Sequence, residues 1–355
     1  DREIAEQIAA ASDVPVRELP HGDDIEVVGD DLIAAYVARA ASLVDADAPR
    51  DLRWVYTAMH GVGRITVERV VEAAGFPAPA LVAEQADPDP AFPTVAFPNP
   101  EEPGAMDLAL ALARQTDADV AIANDPDADR CAIAAPFPSG WRMLTGDELG
   151  ALLADDALRA GRDGVYACSV VSSTLLSTMA AAYSQPYEVT LTGFKWIGRV
   201  PGLAYGYEEA IGYCTDPGQV PDKDGITALT RLLALVARLR ADGRTVADAL
   251  EDIVRRYGLH HTAQLSFRVE DLSIIADAMA RFRAAPPATL AGEDVAASDL
   301  AEGWNGLPPT DGILLEGATT RVVVRPSGTE PKLKCYLQVK LTPDESADVA
   351  AARAA

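Results

Sequence analysis

The sequence predicts an α/β protein, with tandem mixed α/β domains followed by a smaller C-terminal α+β domain. Three observations predict it. Strand-like and helix-like segments alternate through residue 260, as stacked α/β units require. From residue 261 onward the order becomes strand, helix, then two strands around a loop. The 355 residues, 49% of them hydrophobic, supply enough apolar surface for two to three separate cores.

The elements follow in order. Ile4, Ile8 and neighbouring alanines space as a short helix, and a second helix is expected over 30–43, after Pro15 and Pro20. Residues 45–50 read as a polar linker. LRWVYTAMHGVG gives a β-rich run over 52–59, a glycine loop, and a helix over 65–74 closed by Gly75. The stretch 77–103 is broken by prolines and acids, so it is expected as an extended surface excursion. A helix over 105–115 leads to a strand over 119–123, which runs into NDPDADR and returns as a strand over 131–135. A helix over 146–160 and a strand over 164–171 come next, with Ser172, Ser173 and Thr174 placed to cap a further helix. A strand over 188–191 ends in TGFKWIG, and LAYGYEEAIGY and VPDKDG precede a long amphipathic helix over 226–241. The C-terminal part reads as a strand over 261–269, a helix over 272–283, and two strands within ATTRVVVRPSGTEPKLKCYLQVKL. No short internal repeat is present.

Charge narrows the partners. Thirty basic against 54 acidic residues give a net charge of −24, which repels nucleic-acid backbones and anionic membrane surfaces. No run of 18 apolar residues and no leading signal pattern occurs, so neither nucleic acid nor membrane is an expected partner. Cys131, Cys168, Cys214 and Cys335 form no CxxC pair, as expected of reduced thiols in a cytoplasmic protein. Lysine is scarce: only Lys195, Lys223, Lys332, Lys334 and Lys340 occur, and four of them lie in or beside candidate motifs.

Asp125, Asp127 and Asp129 alternate in a tight loop between two strands, with Arg130 beside them. Carboxylates so spaced repel one another unless they converge on a hard divalent cation such as Mg²⁺; a solvated acidic turn is the alternative, ranked lower because such turns seldom follow an apolar strand and then supply an arginine. An EF-hand is excluded, because its sixth position would be Arg130 and its twelfth Pro136. Arg325, Ser327, Gly328 and Thr329 combine a guanidinium fork, hydroxyls and a flexible backbone, the parts of a phosphate nest. A plain hairpin turn is the alternative there. Thr192, Gly193, Phe194 and Lys195, with Glu208 and Glu209, fall within one α/β unit, where carboxylates suit sugar hydroxyls and the lysine a phosphate. Two surface glutamates would look the same. Asp224 reads as the cap of the 226–241 helix. His60 opens a helix in HGVG without the third glycine of a dinucleotide fingerprint, since position 66 is Thr66. It is either an acid/base or phosphate-contacting group, or a histidine satisfied by backbone. His260 and His261 carry no signal.

TAMHGVG, NDPDADR, TGFKWIG, GYEEAIGY, DKDG and RPSGTEPKLK, in this order over nearly the whole chain, resemble the α-D-phosphohexomutases. The GYEEAIGY and TGFKWIG forms are most similar to the phosphoglucomutase-2 and phosphopentomutase branch. The resemblance implies a four-domain enzyme that moves a phosphoryl group between two positions of a phosphorylated monosaccharide through a phosphoserine and a sugar bisphosphate intermediate. It implies 1–25 as the tail of a first domain, 26–146 as a second domain with the metal loop, 147–262 as a third with the sugar loop, and 263–355 as a TATA-binding-protein-like fourth with the phosphate loop. Carried over by residue, Asp125, Asp127 and Asp129 hold Mg²⁺ and Arg130 assists. Glu208 and Glu209 match the sugar loop, where Ala210 stands in place of the relatives' serine. Arg325, Ser327, Gly328 and Thr329 match the distal-phosphate loop, and Thr192 to Lys195 the specificity loop. His60 and Lys195 join Arg130 as expected catalytic groups.

The sequence departs from the family in lacking the TASHNP serine loop. The expectation is that the serine lies upstream of Asp1 and that the chain alone does not turn over. A sugar-phosphate-binding paralogue without catalysis, and a sugar-1,6-bisphosphate synthase, are the alternatives.

Overall fold

The computed structural model describes residues 2–12, 14–19, 22, 24–327, 331–344 and 348–349. Gly328 and Thr329 of the expected phosphate loop therefore lie outside the described residues. Three sheets carry the fold, and among the described residues no helix is long and apolar enough to cross a membrane.

Helix α1 (Arg2–Ala11) is exposed and precedes the first unit, which comprises α2 (Asp30–Ala41), β1 (Trp54–Thr57), α3 (Arg64–Ala73), β2 (Ala80–Leu81), α4 (Asp107–Thr116), β3 (Val120–Asn124), β4 (Cys131–Phe137) and β5 (Gly140–Met143). Its sheet runs β2-β1-β3-β4-β5, parallel around β1 and antiparallel from β3 onward. All of β1 and β3 is buried, which fits their unbroken apolar runs.

The second unit holds α5 (Gly146–Arg159), β6 (Val165–Ser169), α6 (Leu175–Ala182), β7 (Tyr187–Thr190), α7 (Phe194–Ile197), β8 (Leu203–Glu208), β9 (Gly212–Cys214), α8 (Gly225–Ala241) and α9 (Val246–Tyr257). Its sheet is β7-β6-β8-β9. One buried cluster runs from Val37 and Trp54 through Ile133 and Leu152 to Tyr207 and Leu232, so the first two sheets share a core.

The C-terminal unit has β10 (Leu259–Arg268), α10 (Ser273–Ala284), the small pair β11 (Thr289–Leu290) and β12 (Glu293–Asp294), then β13 (Ala296–Asp299), β14 (Ile313–Glu316), β15 (Thr320–Pro326) and β16 (Lys332–Leu341). The sheet β10-β16-β15-β14-β13 is antiparallel throughout. One face packs under α10 through Ile275, Met279, Ile313 and Val324. Leu314, Val323 and Tyr336 on the other meet Val170 and Val171 of the second unit.

Three details correct the sequence reading. The stretch 77–103 is more than a surface excursion: Ala80–Leu81 adds a parallel strand to β1, and Val82 and Gln85 are buried. The Gln85 amide makes this possible, accepting from Thr57 Oγ1 at 2.7 Å and donating to Thr94 Oγ1 at 2.9 Å. Of the three expected caps on α6, Ser173 Oγ accepts from Leu175 N–H at 3.2 Å, whereas the Thr174 side chain makes no cap bond and Ser172 turns to Glu209. Helix α9, unread in the sequence, is opened by a capping box in which Thr245 and Asp248 exchange side-chain bonds with each other's N–H.

Candidate functional site

The loop between β3 and β4 carries Asp125, Asp127 and Asp129, which offer carboxylate oxygens within 4.8 Å of one another. A tight turn forms it, Ala128 N–H donating to Asp125 O at 2.9 Å with Ala128 at φ 60°. Asp125 is buried, and Arg130 binds it twice, through its backbone N–H at 3.0 Å and its Nε at 2.5 Å. Burial raises the Asp125 carboxyl while Arg130 draws it down. Three hard oxygen donors at this separation fit a Mg²⁺-sized cation that keeps further positions for other ligands.

The neighbouring loops lock this one in place. Gly61 lies so close that a Cβ there would come within 2.3 Å of Pro126, and Val62 N–H donates to Pro126 O at 2.8 Å. From the second unit, Gly225 N–H donates to Ala128 O at 3.2 Å, and Cys131 N–H to Ile211 O at 3.0 Å. Asn124 joins the loop ends, donating to Arg130 O at 2.6 Å and accepting from Tyr56 at 3.0 Å.

Lys223, in the turn before α8, places Nζ 2.8 Å from Asp129 Oδ2 and 5.5 Å from the Phe194 ring centre. The sequence reading gave this lysine no role, although lysine scarcity pointed to it. The next residue, Asp224, caps α8 as expected, accepting from Ile226 and Thr227 N–H. Tyr36 of α2 adds bonds to both Asp224 oxygens at 2.8 and 2.9 Å, tying the first unit to this turn.

Glu208 Oε1 accepts from Gly193 N–H at 2.5 Å, which joins the TGFK and GYEE loops. Burial raises the Glu208 carboxyl, and the Gly193 N–H, Lys223 and Arg325 pull it back. Arg325, at the end of β15 opposite Lys334, is thus near enough to act on the Glu208 carboxyl through its charge, while Lys195 is exposed. Glu101 of the proline-rich stretch is raised by burial and faces Lys334 and Arg130. Lys332 lies 3.7 Å from Glu102.

Two expected site residues point elsewhere. Glu209 Oε2 accepts from Ser169 and Ser172, each at 3.1 Å, and burial together with Glu208 and Asp147 pushes its carboxyl up to about 7. It borders a cavity of about 390 Å³ between the three units, with Tyr336 and Asp147 on the same wall. His60 is buried, with Nε2 2.8 Å from Thr94 Oγ1 and Phe92 edge-on to its ring. Its backbone binds Gln85 and Asp89, so it anchors the proline-rich stretch.

Three family models match the chain: phosphoglucomutase/phosphomannomutase α/β/α domain II over residues 34–136, α/β/α domain III over 145–257, and the C-terminal domain over 267–355. The chain is 43% identical to a Haemophilus influenzae protein named probable phosphomannomutase, over 98% of this chain and 72% of that protein. It is 34% identical to human phosphopentomutase over 83% of this chain, spanning about half that relative's length at 54%. Its fold is similar to that of a phosphoglucomutase/phosphomannomutase family protein from Burkholderia thailandensis, with a TM-score of 0.65, 20% identity and coverage of 90% of this chain and 64% of that one.

Proposed function

The chain belongs to the phosphoglucomutase/phosphomannomutase family, in its phosphopentomutase-like branch, and from that premise we propose that it forms the metal-, sugar- and phosphate-binding part of a phosphosugar mutase. The observation that carries the reading is the convergence at Lys223 and Glu208. Lys223 touches the aspartate loop, Glu208 is bound to the TGFK loop, and the charge of Arg325 in the C-terminal unit acts on Glu208.

In this reading 26–146, 147–262 and 263–355 are the family's second, third and fourth domains, and each supplies one loop. Asp125, Asp127 and Asp129 hold Mg²⁺, which when bound supplies charge neutralisation to a transferring phosphoryl group. Arg130 holds Asp125 in place and lends a second positive charge. Lys223 keeps Asp129 oriented and adds a third. Glu208 accepts hydrogen bonds from sugar hydroxyls, with Thr192, Gly193, Phe194 and Lys195 shaping the same side. Arg325 and Ser327, with Gly328 and Thr329, grip the phosphate that is not reacting, and that remote binding energy positions the reacting end. Phosphoryl transfer asks mostly for positioning and charge stabilisation. The sugar oxygen forms its bond to phosphorus as the phosphoserine O–P bond breaks. The family's serine loop is not among the 355 residues, and none of them is assigned as nucleophile. His60, committed to Thr94, is assigned to holding its loop.

The test is mutase turnover of glucose, mannose and pentose phosphates with a sugar bisphosphate present, in a protein that carries the serine loop. Asp127→Asn is expected to abolish Mg²⁺-dependent transfer while leaving the far-ultraviolet circular dichroism unchanged. Unaltered turnover would sink the metal assignment. Turnover only with an acyl phosphate donor would point to a bisphosphate synthase.

A further inference from the structure

Four of the five lysines sit in or beside the loops of the candidate site, and the fifth, Lys340, does not. It stands on β16 directly opposite His260 of β10. Both border a second cavity, of about 450 Å³, between α6, the end of α9 and the turn joining β14 to β15. Along β16, Lys340 stands about 26 Å from Lys332 at roughly 3.3 Å per residue, while Arg321 and Gln338 line both this cavity and the one between the three units.

The wall is rich in groups that bind oxyanions. Arg321 lines it with a side chain only 10% exposed. One Arg321 nitrogen donates to Val170 O at 2.5 Å, but its Nε has no hydrogen-bond partner among the described residues. Glu316 Oε1 stands 3.6 Å from that Nε, beyond hydrogen-bond reach. Thr174, Ser177 and Thr178 of the second unit add hydroxyls. Two basic side chains directly opposite each other on paired strands are unfavourable when both are charged. Burial and the Lys340 charge accordingly bring His260 down to about 4 and leave it neutral. In a chain of net charge −24, this cavity sets Arg321, Lys340 and His260 against one carboxylate, Glu316. The Tyr257 phenol on the same wall is bound to Asp155 at 3.2 Å.

We propose that this cavity binds a small phosphorylated metabolite, whose phosphoryl oxygens take the Arg321 guanidinium, the Lys340 ammonium and the hydroxyl of Thr178. The volume suits a ligand up to the size of a sugar bisphosphate. The wall comes partly from α6 and partly from β14, β15 and β16, so a bound ligand bridges the second unit and the C-terminal unit and fixes one against the other. That makes it an effector site, separate from the loops that handle the reacting sugar.

The test is isothermal titration with inorganic pyrophosphate, free of divalent metal, in an Arg325→Ala background that removes the phosphate-loop cation. One pyrophosphate per chain is expected to bind there. Lys340→Gln should weaken it tenfold or more, with Lys340→Arg restoring most of the affinity. Thr178→Val, which removes only a hydroxyl, should give a smaller loss in the same direction. Citrate, as a carboxylate probe of similar charge, should bind at least tenfold more weakly than pyrophosphate. No binding in the Arg325→Ala protein, or binding indifferent to Lys340→Gln, would overturn the site. Equal binding of citrate would overturn its assignment to phosphoryl groups.

Discussion

Glu209 shows how one carboxyl can be read as a ligand in sequence and as a packing group in three dimensions. One of its oxygens accepts from Ser169 and Ser172 while the residue borders the cavity between the three units, and its folded pKa of about 7 stands above the ordinary 4.5. A carboxyl raised in this way stabilises the fold fully below pH 4.5, and that contribution is lost as pH rises through 7. The loss amounts to about 3 kcal/mol at most, from the size of the shift. Chemical denaturation from pH 5 to pH 8 should therefore show falling stability, and Glu209→Gln, which keeps an acceptor for the serines but cannot ionise, should flatten that fall. A wild-type stability that rises between pH 5 and pH 8 would show that the Glu209 charge is accommodated. Arg325 belongs to the same scale. Arg325→Ala removes a charge-assisted phosphate contact worth about 1.5–3 kcal/mol, which should appear as a raised KM for the sugar phosphate. An unchanged KM would move the phosphate site elsewhere.

Among the elements, the turn before α8 packs against the aspartate loop with no room to spare. A Cβ on Gly225 would sit 2.2 Å from Arg130 O and 2.7 Å from Ala128 O, and neither backbone atom can yield without moving Asp129. Gly225→Ala should thus destabilise by about 1–3 kcal/mol through overpacking and also weaken Mg²⁺ binding. A stability loss with unaltered Mg²⁺ affinity would mean that α8 does not position the metal loop. Much of this was legible in the sequence. The strand, acidic loop and strand over 119–135, and the helix capped by Asp224, are set by local signals: apolar runs, proline, and a carboxylate at the N-cap. Helix α9 carried an equally local signal, Thr245 with Asp248, that went unread. The β2 strand could not be read, because two residues in a proline-rich stretch become a strand only by pairing with the distant β1, a placement that Gln85 supports through Thr57 and Thr94. The same limit applies to His60. The motif was visible, but the Thr94 hydroxyl that claims its ring lies 34 residues away. Lys223 was hidden for the opposite reason, since its turn had a sufficient local explanation as a helix cap.

At the scale of the molecule, loops from three sheets converge although the aspartate loop, the Glu208–Lys223 loops and Arg325 lie far apart in sequence. The shared core of the first two units fixes the aspartate loop against Lys223. The C-terminal unit reaches it from β15 and β16, where Arg325 acts on Glu208 through its charge and Lys332 lies 3.7 Å from Glu102. Its own contact with the second unit is a small apolar cluster around Val171, Leu314 and Tyr336, so charged contacts across the cleft share in seating it. Titration of a sugar bisphosphate into the protein, with Mg²⁺ and with a chelator, tests this arrangement most directly when repeated with Asp127→Asn and Arg325→Ala. One Mg²⁺-dependent molecule is expected to bind per chain, at least tenfold more tightly with Mg²⁺, beside any held at the Lys340 cavity. Asp127→Asn should erase the metal dependence, and Arg325→Ala should weaken binding under both conditions. Binding that ignores Mg²⁺ and both substitutions would contradict the claim that these loops form one site.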